Sequence, residues 1–326
     1  MIRLAFIILP LAVLAVALLA LALGSSAIPM TAVALWPWDA AALSDQQRLI
    51  IENIRLPRMV LGLLVGAMLA VAGAALQGIF RNPLADPGLI GVSGGAALGA
   101  AAMIVMGGDR FVGPLALPLA AFAGAVIATL AVYGLGRRHG MISPPSMLLA
   151  GIAVNALAGA GIGVFSYVGD DLQLRQLTFW TMGSLGAAGW STLLPSLVPM
   201  LASMAGLFLL ATRLDVFSLG EREAFHLGLN PHRMVQLVVG LTCLGVGAAV
   251  AAAGPIGFIG LVVPHLIRLS LGAGHRVLLP AGMMLGAVLL VGADTIARIV
   301  AAPAELPVGL LCSLLGAPFF LWLLRR

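Results

Sequence analysis

Apolar runs of about 20 residues, long enough to cross a lipid bilayer, recur along this whole sequence and leave few folds open. In hydrocarbon every backbone N–H and C=O must be paired within its own segment, so each run is expected to be an α-helix. Polar, Gly and Pro punctuation predicts ten spans, at roughly 4–23, 59–80, 88–106, 111–136, 146–168, 190–211, 234–253, 256–271, 277–300 and 307–324. The expected fold class is an all-α polytopic membrane protein, one transmembrane domain over residues 1–326. With 61% hydrophobic and 9% charged residues, the composition argues against a soluble globule. The first run, Leu4–Leu23, exceeds the apolar core of a signal peptide and reads as a span.

The charged residues then orient the spans. All 17 basic residues are arginine, and they lie mostly between apolar runs, which argues for topology rather than nucleic-acid binding. Placing the N-terminus inside puts eleven of them at the cytoplasmic face, with Arg48, Arg55, Arg58, Arg110, Arg175 and Arg298 outside. An even number of spans returns both termini to the cytoplasm. Without a lysine there is no P-loop, so any ATP that drives this chain is hydrolysed by a partner subunit. Cys243 and Cys312 sit inside apolar runs, and no catalytic triad order, H-E-x-x-H pattern or metal-spaced cluster appears. The chain reads as no enzyme, with no permanently bound cofactor and no metal; His265 in "VPHLIRL" has no second ligand at metal spacing.

Against this background "SLGEREAFHLGLNPHR", Ser218–Arg233, is conspicuously charged. Ser218 and Glu221 have the spacing of a capping box, Gly228 that of a left-handed C-cap, and Asn230 with Pro231 opens another helix. A short cytoplasmic helix over about 218–229 is expected, with Glu221, Arg222, Glu223 and His226 on a polar side and Phe225 and Leu229 on an apolar one. Such a helix suits a groove on a partner protein, or is a solvated connector.

Outside, Arg55 and Arg58 are three apart and share a helical face, and Arg298 lies near the outer end of the ninth span. These guanidiniums either anchor at the interface or dock carboxylates. Asp294 is expected to pair with Arg298 at i,i+4, and Gln77 and Asn155 either bond between helices or line a polar path. Glycines four apart, such as Gly62/Gly66, Gly95/Gly99 and Gly282/Gly286, predict close helix packing. "PGLIG" at 87–91 is echoed by "PIGFIG" at 255–260, a five-span offset expected of inverted repeats.

Five ordered segments, "RLPRMVLGLLVGAMLAVAGAALQGIFRNPLADPGLIGVSGGAALGA", "WTMGSLGAAGW", "GEREAFHLGLN", "GPIGFIGLVVPHLIRL" and "ADTIAR", resemble the FecCD-type, BtuC-like permeases of ABC importers for iron-siderophore, haem and vitamin B12. The resemblance implies ten helices in two inverted-repeat halves and a homodimer of the type II importer class. It also implies two cytoplasmic ATPase subunits and a periplasmic binding protein as partners, in the lipid of a bacterial inner membrane. It assigns Glu221, Arg222, Glu223, Phe225, His226, Leu227 and Gly228 to ATPase coupling, and Arg55, Arg58 and Arg298 to a pocket for the binding protein's glutamates. The fifth and tenth spans would line the path, tentatively with Asn155, and Trp180–Trp190 would lie near its mouth. "RNPLADPGLIGVSGGAALGA" looks closest to haem-transporting members, so haem is the expected cargo, with a ferric siderophore or vitamin B12 as alternatives. An ion-coupled secondary carrier is the competing class; it needs a titratable relay, and Asp294 is nearly alone within the spans.

Overall fold

The computed structural model describes residues 2–24, 28–36, 38–39, 42–107, 113, 115–138, 141–142, 144–301 and 304–323. In chain order its helices are α1 (Ile2–Ala22), α2 (Met30–Leu35), α3 (Asp45–Ile50), α4 (Leu56–Phe80), α5 (Val92–Val105), α6 (Ala116–Leu135), α7 (Pro144–Val168) and α8 (Asp171–Thr181). They continue as α9 (Trp190–Leu209), α10 (Ala211–Ser218), α11 (Glu221–His226), α12 (Pro231–Ala253), α13 (Ile259–Leu271), α14 (His275–Val300) and α15 (Val308–Leu323). A π-helical turn, Ile51–Arg55, joins α3 to α4, and two-residue strands pair Arg137–Arg138 with Met141–Ile142.

Seven of these helical stretches are long and apolar enough to cross a membrane: α1, the run Asp45–Phe80, α6, α7, α9, α12 and α14. The shorter apolar helices α5, α13 and α15 occupy the other three predicted spans. Two of the three are short for a visible reason. After α4 the chain turns back, a 3₁₀ turn Pro87–Ile90 ends at Gly91 with φ 85°, and only then does α5 begin. The predicted span from 88 is therefore broken, because Asp86 accepts the Gly88 N–H at 2.8 Å and caps the turn instead. Likewise α13 starts at 259 rather than 256, after Phe258 with φ 68°.

These two turns meet. A Cβ at Gly260 would stand 2.9 Å from Pro87 Cδ and 3.3 Å from Asp86 Oδ2, and Gln77 Nε2 donates to both Ala85 O (3.2 Å) and Gly260 O (3.4 Å). Gln77 also accepts from Arg268. The echoed segments are thus neighbours, and the Gln77 amide ties the chain just before the first, at Ala85, to Gly260 of the second.

Helix α4 is the hub, buried without interruption from Val65 to Phe80, with its broadest contact against α14. There the backbones touch: a Cβ on Gly66 would stand 2.3 Å from Gly286 O. In lipid, where apolar burial drives little, such close van der Waals packing holds helices together. Gly95 and Gly124 do the same for α5 and α6. Conversely, α1 and α7 expose apolar side chains such as Leu11 and Leu157, as expected of surfaces facing lipid.

The bundle has two chemically distinct ends. Phe80, Gly220 and His275 lie at one, which carries α11; Arg58, Arg298, Gly183 and Pro255 lie at the other, the far end. Helix α1 finishes, and α15 starts, at the far end, so the opposite ends of both helices point toward α11.

Candidate functional site

At the α11 end the expected short helix is present, with a different start. Ser218 belongs to α10 and its hydroxyl donates to Leu214 O at 2.8 Å, so the capping box with Glu221 does not form. Gly220, with φ 136°, is the N-cap and has no side chain to contribute. The C-terminal end is as expected. Gly228, φ 85°, donates to Phe225 O and Leu229 N to Ala224 O, the paired bonds of a Schellman cap. Asn230 Oδ1 then accepts from Arg233 N at 3.1 Å and starts α12 with Pro231 in its first turn.

Between these caps only Ala224 is buried, fixing the helix onto its neighbours. Phe225 and Leu227 are exposed by about two thirds, as is Leu219 just before the helix. Arg222, Glu223 and His226 are exposed around them, and Glu221 half so. Glu221, Phe225, His226, Pro231 and His232 line a cleft of about 370 Å³. Exposed aromatic and aliphatic side chains ringed by charges have the composition of an interaction surface.

The far end gathers charge and buries it. Arg58 meets Asp294 through both Nε (3.0 Å) and Nη2 (2.9 Å), and reaches Glu305 through Nη1 (2.7 Å). Arg298 donates to Ala20 O, Leu23 O and Thr295 Oγ1, and its Nε lies 3.3 Å from Asp294. Arg55 donates to Leu21 O and Ala22 O. The carbonyls left over at the end of α1 are thus capped by guanidiniums of α14 and of the turn before α4.

Arg55, Arg58 and Arg298 are therefore brought together as expected, but the open pocket is not there: they are 4%, 5% and 7% exposed. The physical reason is that Asp294 and the α1 carbonyls supply acceptors within the fold. The predicted Asp294–Arg298 pair exists, though Arg58, far away in sequence, holds the carboxylate more closely. Glu305 is the cluster's window, with half of its side chain exposed. It also lines a cavity of about 730 Å³ with Arg175, Gln176, Phe179, Trp180 and Ser184. The segment at Trp180 thus borders a large far-end cavity, and the guanidinium of Arg175 lies 5.8 Å from the Phe179 ring.

Asn155 is half-buried and donates to Gly88 O at 2.9 Å, tying α7 to the 87–90 turn; of its two open readings, the bond between elements is formed. Arg110, Arg325 and Arg326 lie outside the described residues. No group of three His, Cys, Asp or Glu among the described residues is placed to hold a metal ion.

Sequence reasoning missed Glu305, which follows a Pro/Ala stretch without periodicity, and Asp215, whose carboxylate meets His275 from 60 residues away. A lone acid between spans, at the base of the charged segment, was the available signal for Asp215.

Comparison with known proteins agrees with this architecture. The chain is 50% identical over 284 residues to the hemin transport system permease HmuU of Yersinia pestis, covering 84% of this chain and 82% of the relative. It is 41% identical over 309 residues to the cobalamin import permease BtuC of Halobacterium salinarum, covering 92% and 82%. A solved metal-chelate-type ABC transporter in an inward-facing conformation superposes with a TM-score of 0.87 at 33% identity, over 99% of both chains. With the FecCD transport family model matching residues 11–326, the chain belongs to the FecCD family, membrane subunits of ABC transporters whose ATPase is a separate subunit.

Proposed function

We propose that this protein is the permease of an ATP-driven importer that carries haem from a periplasmic binding protein across a bacterial inner membrane. The 50% identity to a hemin permease carries the choice of cargo. Vitamin B12 is the second reading, favoured by the 41% identity to a cobalamin permease. A ferric siderophore is a third cargo within the same mechanism.

In this reading the subunit is a single domain with ten membrane-spanning helices, both termini cytoplasmic, and two copies form the channel. The touching turns at 87–91 and 255–260 support two halves built as inverted repeats. Exposed Phe225 and Leu227, with Glu221, Arg222, Glu223, His226 and Gly228, form the contact with each of two ATPase subunits, which use the ATP. The binding protein docks at the far end. Its carboxylates reach Arg58 by taking the place of half-exposed Glu305, while Arg55 and Arg298 hold the end of α1 in register beside it. Asn155 borders the path by fixing the turn that begins α5. An ion-coupled carrier is disfavoured because Asp294, the acid such a relay would need, is locked between two arginines.

The test is uptake into proteoliposomes containing this chain, its ATPase and its binding protein, offered hemin, a ferric siderophore and cobalamin in parallel. ATP-dependent hemin uptake alone is the expected result. Preference for another chelate would transfer the cargo, and uptake without the ATPase would overturn the class.

A further inference from the structure

Helix α10 leads into α11 through only Leu219 and Gly220, and it is fastened to the start of α14 by polar contacts that nothing in the proposed function requires. One Asp215 oxygen accepts from His275 N at 2.7 Å and meets His275 Nδ1, also at 2.7 Å. Thr212 Oγ1 accepts from Arg276 Nε at 3.0 Å, one helical turn earlier. The carboxylate thus satisfies an otherwise unpaired N–H in the first turn of α14 and lies at the positive end of its dipole. His275 has little freedom to move, being buried, with Gly78 of α4 leaving the space its ring occupies; a Cβ there would stand 2.7 Å from Nε2.

What is fastened there runs the length of the bundle. With 26 residues α14 is about 39 Å long. Its other end carries Asp294 and Arg298, the pair bound to Arg58 and to the carbonyls of α1. Pro280 removes one backbone bond in the second turn of α14, but the helix is continuous beyond it and packs along α4. With directional bonds at both ends it can shift as a unit, a common way to switch packed helices.

We propose that Asp215 is a positioning residue for transport: by holding His275, it makes α14 the rod through which displacement of α11 reaches the far-end charge cluster. This rests on the reading of α11 as the coupling helix of an importer permease. Coupling of this kind is reciprocal in binding free energy, so docking at the far end also biases the position of α11 against the ATPase, and stimulated hydrolysis is the readout of that bias.

The experiment uses the complete transporter in proteoliposomes, with hemin uptake and ATP hydrolysis measured together. In Asp215→Ala, uptake per ATP is expected to fall at least fivefold, and stimulation of the ATPase by the binding protein to fall with it. Basal hydrolysis and assembly stay near wild type, and melting falls modestly because His275 loses its acceptor. His275→Ala should reproduce this, the double variant should be no worse than either single one, and Asp215→Asn, which keeps an acceptor for His275 N, should recover at least half. Unchanged uptake per ATP in Asp215→Ala overturns the inference. So does a joint loss of uptake, basal hydrolysis and assembly that Asp215→Asn shares, since that marks an ordinary structural contact. If wild-type vesicles take up no hemin, the reading of the cargo fails instead, and stimulation of the ATPase by the binding protein still decides the role of Asp215.

Discussion

The two ends of α14 treat charge in opposite ways. At the far end Arg58, Asp294 and Arg298 are sealed inside the subunit, each with its partners in the same chain. At the other end, beyond the Asp215–His275 contact, α11 leaves Arg222, Glu223, Phe225 and Leu227 almost wholly unsatisfied by the fold. A buried network of ion pairs is costly to assemble and specifies one arrangement; an exposed mixed surface specifies nothing until a partner covers it. One end of the molecule thus fixes most of its own geometry within the subunit, while the other leaves its side chains exposed.

The contrast breaks most severely if the buried cluster loses a member. Arg58→Ala leaves the Asp294 carboxylate with only the longer Arg298 contact and strands Glu305, and should destabilise the purified subunit by about 3–5 kcal/mol in a detergent melting assay. Lysine at 58 should recover little, because two nitrogens engage Asp294 while a third reaches Glu305. Next comes the close approach that sets α14 against α4. Gly286→Ala puts a methyl 2.3 Å from Gly66 O, so the helices must separate, at about 1–3 kcal/mol in the same assay.

The exposed end should respond in the reverse sense. Phe225→Ala removes nothing the subunit needs, so its melting should change by less than about 0.5 kcal/mol. Affinity for the ATPase subunit should drop about tenfold or more, read by co-purification or a titration in detergent. Equal losses in both measurements would mean that Phe225 packs within the subunit and that the contrast between the ends is false. The smallest effect is Asn230→Ala, which deletes the cap of α12 and should cost about 1 kcal/mol. It should weaken ATPase binding less than Phe225→Ala does, because Asn230 borders the cleft beside α11 but removes no large apolar surface from it.

Much of this was legible in the residues. The apolar helices sit where hydrophobic runs predicted, because in lipid a span is a local property of about 20 consecutive side chains. The end of α11 was readable for the same reason: Gly228, Asn230 and Pro231 act on the backbone within a few residues. Its beginning was misread because Ser218 found a local carbonyl, Leu214 O, and a favourable spacing does not guarantee the conformation that uses it. The 3₁₀ turn at 87–90 was hidden inside an apolar run, where hydropathy cannot distinguish a helix from a turn that returns into the bundle.

The class of fold, the placing of its helices and the charged segment at 218–233 were therefore written in the residues, since each follows from short-range pattern. That the three arginines are enclosed, that Asp294 belongs chiefly to Arg58 and that Asp215 grips His275 came from the packing of the helices. Those pairings join residues separated by as many as 236 positions, and an ion pair depends on where helices pass one another, which no local pattern encodes.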